Sequence, residues 1–170
     1  IRGATLVKQL LTFARKSNIV FEPLNINAVI TDVMKLLYET LPRTIEISLH
    51  LQKDLPLINA NMYQLEQVFI NLCTNARDAM PHGGVLRIST FFIRTEEITV
   101  RTPSVSAKGY IHIQVADSGT GMSVETQQKI FDPFFTTKDI GKGTGLGLSL
   151  VHSIVKNHKG DIDVVSKEGE

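Results

Sequence analysis

The chain has 170 residues, 42% of them hydrophobic, and its 18 Lys and Arg balance 17 Asp and Glu to a formal charge of +1. That length supports one domain with a real core plus some additional helix, and the near-zero charge argues against electrostatic binding to nucleic acid or anionic membrane as the default reading. No apolar run approaches the roughly 20 residues of a membrane span, the opening residues lack a cleavable secretory signal, and one cysteine, Cys73, excludes an internal disulfide and suits a reducing cytosol.

Taken in chain order, Leu6, Leu10 and Phe13 with Val7, Leu11 and Ala14 fall at helical spacing and predict an amphipathic N-terminal helix, broken at Ser17-Asn18. Phe21 to Asn25 is expected to form a connecting turn. Asn27 is expected to cap a second helix through about Tyr38, with Val29, Ile30, Val33, Leu36 and Leu37 inward and Pro42 ending the region. Ile45, Ile47, Leu49 and Leu51 alternate with polar residues, the pattern of a half-buried strand. Asn59 or Asn61 is expected to cap a long helix to about Met80, stopped by Pro81-His82-Gly83-Gly84. Residues 85–92 and 110–115 predict two strands joined by a polar connection containing Pro103. Ser123 caps a short helix to about Phe131, residues 146–158 return to helical spacing, and residues 162–165 predict a last strand.

Four stretches carry polar patterns that folding alone does not require. On the long helix, Leu65, Val68, Leu72, Ala76 and Ala79 form an apolar face, while Gln67, Asn71, Asn75 and Asp78 recur at i, i+4, i+8 and i+11. Asparagine is an indifferent helix former. The stripe is therefore either a solvated face or a set of amide oxygens aimed at phosphates or at a hard cation such as Mg²⁺. Directly after a strand comes Asp117-Ser118-Gly119-Thr120-Gly121-Met122, where two glycines permit close backbone approach and Asp117 is placed to accept a hydrogen bond. Ile130-Phe131-Asp132-Pro133-Phe134-Phe135-Thr136-Thr137-Lys138 sets three phenylalanines at a loop start, fit to bury the hinge of a flap whose Lys138 reaches a phosphate as a point charge. Gly141-Lys142-Gly143-Thr144-Gly145-Leu146-Gly147-Leu148 opens a helix and offers its backbone N–H groups to an anion. It matches neither the Walker loop nor the dinucleotide fingerprint.

The order of these stretches, Asn71 to Ala79, then Asp117 to Met122, then Phe131 to Lys138, then Gly143 to Ser149, resembles the catalytic ATP-binding domain of sensor histidine kinases over roughly residues 43–170. The helix carrying Arg2-Gly3-Ala4 and Gln9-Leu10-Leu11-Thr12-Phe13 is similar to the second helix of that family's dimerisation and phosphotransfer hairpin. The resemblance implies a Bergerat-type α/β (α+β) two-layer sandwich, its mixed sheet covered on one face by helices, with a flexible ATP lid. It divides the chain into residues 1–18, the end of the hairpin; 19–42, a connector and first helix; and 43–170, the catalytic domain. By the same resemblance Asn75 ligates Mg²⁺ with help from Asn71 and Asp78, and Asp117 accepts the adenine amino group. Gly119, Gly121 and Met122 line the base, while Thr137 and Lys138 belong to the lid. Gly143, Thr144, Gly145, Leu146, Gly147 and Leu148 form the lid hinge and meet the phosphates. Asn71 and Lys138 take the catalytic roles, and the cofactors are ATP and Mg²⁺.

Gyrase-type and chaperone relatives carry a glutamate where this chain has Asn71, and a neutral amide is no general base. The expectation is therefore slow hydrolysis and transfer of the γ-phosphoryl group to a nucleophile supplied from elsewhere. His50, His82, His112, His152 and His158 are followed by Leu, Gly, Ile, Ser and Lys, whereas the family's accepting histidine precedes an acidic residue. The acceptor is expected to lie before Ile1, and the family's final strand after Glu170. Expected partners are ATP, the histidine-bearing hairpin of the full-length dimer and a response regulator receiver domain, with no nucleic acid and no membrane contact. The expected location is the cytoplasm, with anchoring of the parent protein left open. Two alternatives stand beside this reading: a non-catalytic nucleotide-sensing module acting through its lid, and an anti-sigma-type serine kinase.

Overall fold

A computed structural model describes residues 20–94, 109–139 and 143–169. The expected N-terminal helix and the connection around Pro103 lie outside these residues. Helix α1 spans Ile26–Tyr38 and helix α2 spans Met62–Ala79. The cap of α1 is Asn25 rather than Asn27: its side-chain oxygen accepts from the backbone N–H of Asn27 at 2.9 Å and of Ala28 at 3.4 Å. Asn27 is engaged elsewhere, because its Nδ2 donates to the Gln52 carbonyl at 2.7 Å and its Oδ1 accepts from the Thr90 hydroxyl at 2.8 Å. It ties the helix to the sheet. Asn61 caps α2 by accepting from Gln64 N at 3.0 Å.

The sheet has strand order β2 (Ile45–Leu51), β4 (Gly84–Arg94), β5 (Gly109–Asp117), with β2 parallel and β5 antiparallel to β4. Two three-residue strands, β1 (Glu22–Leu24) and β3 (Ile58–Ala60), pair antiparallel beside it. The short helix α3 (Val124–Lys129) follows β5, and helix α4 (Gly147–Asn157) packs against α2 to extend the helical layer. The core is the contact between this helical layer and one sheet face: Ile26, Ile30, Val33 and Met34 of α1 and Phe69, Cys73 and Ala76 of α2 meet Leu86 and Ile88 of β4. Each large side chain so buried contributes about 1.5–3 kcal/mol. Val68 on α2 with Val151 and Ile154 on α4 forms a second cluster that sets those two helices side by side. No described helix is long and apolar enough to cross a membrane.

Four expectations change. Residues 22–24 form strand β1 instead of a turn, because pairing with β3 (Pro23 opposite Asn59) outweighs the local turn preference. Leu36 is 63% exposed, and Met34, two residues earlier on the helix, takes the inward position. Ile162–Val165 makes no ladder among the described residues. Its side chains do alternate between half-buried and exposed, and Ile162 packs on the α2–α4 cluster. Alternation specifies faces, whereas a strand also needs a partner. The phenylalanine run does not bury as a unit, since Phe134 is 72% exposed.

Candidate functional site

The polar stripe on α2 faces the start of α4. Asn71 is 7% exposed, and its Nδ2 has no hydrogen-bond partner among the described residues. A buried donor left unpaired costs about 1–3 kcal/mol. A β-carbon added at Gly147, the first residue of α4, would stand 3.5 Å from Asn71 Oδ1 and 3.8 Å from Asn75 Nδ2. Any side chain there would fill the space above the two amides. Leu146 at the cap position has no side-chain acceptor, so the first N–H groups of α4 remain available to an anion. Leu148 is half-buried on the same turn.

One turn along, Asp78 Oδ2 accepts from Lys138 Nζ at 2.6 Å, and Asp78 Oδ1 accepts from Arg77 Nε and Nη2 at 2.9 and 2.7 Å. Lys138 Nζ also lies 3.5 Å from Asn75 Oδ1. Partial burial alone would raise the Asp78 pKa. The Lys138 and Arg77 hydrogen bonds and charges outweigh it and hold the carboxyl below its ordinary value. Lys138 is itself fixed, because Thr136 Oγ1 accepts from its backbone N–H at 3.2 Å and Gly143 lies against its side-chain stem.

The base of this lid is pinched by a backbone hydrogen bond from Phe134 N to Gly145 O at 2.9 Å. Both residues have positive φ, +69° at Phe134 and +65° at Gly145. A β-carbon on Gly145 would collide with the Phe134 backbone, so glycine is required there. The left-handed turn at Phe134 swings its ring outward, which explains its exposure, while Phe131 packs against His152 with ring centroids 5.2 Å apart. Thr144 Oγ1 accepts from Leu146 N at 3.3 Å, and Thr137 is exposed.

The second part of the site lies at the C-terminal end of α2, beside Ala79. Asp117 ends β5, and its Oδ1 accepts from Gly119 N at 3.0 Å. A β-carbon on Gly119 would stand 2.7 Å from both Cβ and the carbonyl oxygen of Ala79, so the loop reaches the helix only as glycine. Thr120 N donates to Ala79 O at 3.0 Å, and Gly121 and Met122 carry the loop on toward α3. From Asn71 to Ala79 the helix rises about 12 Å. The structure thus gathers Asn71, Asn75, Asp78, Lys138 and Gly147 along the C-terminal half of α2, with Asp117 and Gly119 beside the helix end at Ala79.

Sequence reasoning did not pick out Arg77, because neighbours at i and i+1 on a helix do not normally face each other and no periodic signal marks the pair. It also missed Thr136 and the Phe134–Gly145 pinch, which appears only once the chain doubles back. Cys73, buried on the core face, has its thiol pushed up to about 12 by burial and takes no part in the site.

Residues 61–170 match the family of histidine kinase-, DNA gyrase B-, and HSP90-like ATPases, and the chain belongs to that family. Within it, the mixed sheet with its helical layer is the fold of histidine kinase catalytic domains. The chain is similar to the catalytic domain of histidine kinase ThkA, at 29% identity and a TM-score of 0.66 over 81% of each chain. It is likewise similar to ThkA solved in complex with the response regulator protein TrrA, at 26% identity and a TM-score of 0.67 over 94% of this chain and 41% of that one. In sequence it is 40% identical over 170 residues to sensor kinase CckA of Brucella abortus, covering 99% of this chain. The chain spans 18% of that relative's length.

Proposed function

We propose that this chain is the ATP-binding catalytic part of a two-component sensor histidine kinase. In this reading it binds Mg-ATP and passes the γ-phosphoryl group to a histidine on a hairpin helix that these residues do not include. The observation that carries the proposal is the convergence of Asn71, Asn75 and Asp78 of α2 with Gly147 of α4 and Lys138 of the lid. The buried amide at Asn71, the open helix start and the lid ammonium together suit a polyphosphate. Asp117, at the end of β5 beside the C-terminus of α2, suits an exocyclic amino group.

The donor set also fits Mg²⁺. Asn75 Oδ1 and Asp78 Oδ2 already share one cation, the Lys138 ammonium, and hard oxygen donors of this kind are what Mg²⁺ takes. Among the described residues no group of three or more His, Cys, Asp and Glu gathers to hold a metal, so phosphate oxygens and water would complete the shell. Asn75 and Asn71 would hold the ion, which supplies neutralisation of phosphate charge. Asn71, a neutral amide, orients and donates without activating water. Lys138 meets the terminal phosphate once it exchanges Asp78 for it, and the Phe134–Gly145 pinch sets where the lid pivots.

The domain division that goes with this reading places residues 1–18 in the hairpin, 19–42 in the connector and first helix, and 43–170 in the catalytic domain. The parent protein's partners would be its own histidine-bearing hairpin and the receiver domain of a response regulator; the similar kinase ThkA is solved in complex with the response regulator protein TrrA. Calorimetry tests the binding step. ATP with Mg²⁺ is expected to bind at submillimolar concentration, and Asp117→Asn to erase most of the preference for ATP over GTP while the fold persists. No binding at millimolar ATP, or an unchanged preference in the variant, contradicts the assignment.

A further inference from the structure

The Asp117–Met122 loop has a front and a back. Its front carries Asp117 and Gly119. Its back is covered by residues 166–169, a segment that the reading above gives no role. Ser166 Oγ accepts from Met122 N at 2.9 Å, and Gly169 N donates to Thr120 O at 2.9 Å. Gln127 on α3 donates from the same Nε2 to Met122 O at 2.8 Å and to Ser166 O at 2.9 Å. Gly121, at φ +67°, lies against the Lys167 carbonyl. Both hydrogens of the Gln127 amide are therefore used, one on the loop and one on the strap behind it. A glutamate at this position would offer no donor to either carbonyl.

We propose that Gln127 and Ser166 are positioning residues for base recognition. Acting through the backbone of Met122, beside the Gly169 bond to Thr120, they clamp the loop between the 166–169 strap and the end of α2, so that Asp117 and Gly119 are preset for an aminopurine. The energetic logic is preorganisation: apparent affinity falls in proportion to the fraction of molecules whose loop is competent. Releasing one hydrogen bond of the clamp lowers that fraction about five-fold when the bond contributes its usual share. The proposal rests on the ATP-binding reading above and deepens it by naming what sets its base specificity.

The test uses the 170-residue chain with ATP and GTP, each with Mg²⁺, by calorimetry. Gln127→Ala and Gln127→Glu are expected to weaken ATP binding about five-fold or more while GTP binding changes less, so that the ATP-over-GTP ratio shrinks. Ser166→Ala should act the same way, and Ser166→Thr, which keeps the hydroxyl, should restore the wild-type ratio. Thermal melts establish that the variants fold. Ser166→Ala, which removes a single hydroxyl, carries the test alone if the Gln127 variants do not fold. Folded variants with the wild-type ratio overturn the clamp and leave the ATP-binding reading standing. A wild-type chain that binds no ATP overturns that reading itself.

Discussion

Asp78 shows at the scale of one residue how the site manages charge. Its carboxylate takes hydrogen bonds from Lys138 on one oxygen and Arg77 on the other, and these hold its pKa below the ordinary value although partial burial pushes the other way. In the unfolded chain the group titrates at about 3.9. A carboxyl depressed in the folded state adds stability that is present above the unfolded value and lost as pH falls through the folded one. The contact between lid and α2 is thus expected to stay constant from pH 8 down to about pH 4 and to weaken only below it. An NMR titration of the Asp78 carboxyl carbon checks this: the wild-type midpoint should lie below that of Lys138→Met, and equal midpoints would remove Lys138 as the main cause. The asparagines of the stripe were legible in the sequence because two such residues one turn apart in mid-helix need a reason. Whether they faced solvent or a ligand was not legible, since that depends on α4, which folds back from seventy-odd residues away in the chain to cover Asn71.

At the scale of elements, the helices were legible because a 3.6-residue period repeats often enough to be seen, and the long strands because alternation does. Strands β1 and β3 were not, since three residues cannot display a period and Pro23 argues locally for a turn. The cap of α1 was misplaced by two residues for a related reason. Asn25 and Asn27 are equally good caps by composition, and only the sheet contacts of Asn27 to Gln52 and Thr90 decide between them. The lid hinge belongs to this scale too. Gly145 is required by its φ of +65° and by the Phe134 backbone lying against it. Gly145→Ala is expected to cost about 1–3 kcal/mol in urea denaturation and to weaken ATP binding more than stability alone explains, because the pinch that aims Lys138 would open. A variant with wild-type stability and affinity would show that the hinge bears no strain and no function.

At the scale of the molecule, one rigid helix sets the separation between the two halves of the site. α2 carries the amide stripe in its middle and meets the Asp117 loop at its end, and α4 is locked alongside it at both extremities. Gly147 lies over Asn71 at one end, and at the other His158 accepts from Asn61 N at 3.0 Å through Nε2 while its Nδ1 bonds to the Ile154 carbonyl at 2.8 Å. His158 is thus occupied on both ring nitrogens and serves as a brace. His152 packs against Phe131, His112 stacks on Phe91, and His50 bonds to Ser48. Four of the five described histidines thus have structural or surface partners.

The central claim is phosphoryl transfer to such an acceptor, and one measurement tests it most directly: the chain incubated with γ-labelled Mg-ATP and a separate histidine-bearing hairpin from a sensor kinase. Label is expected on the hairpin, stable to alkali and released by acid, lost with Asn75→Ala and falling strongly with Lys138→Met. Tight ATP binding with no label on the hairpin, or label that survives acid as a serine ester would, contradicts it.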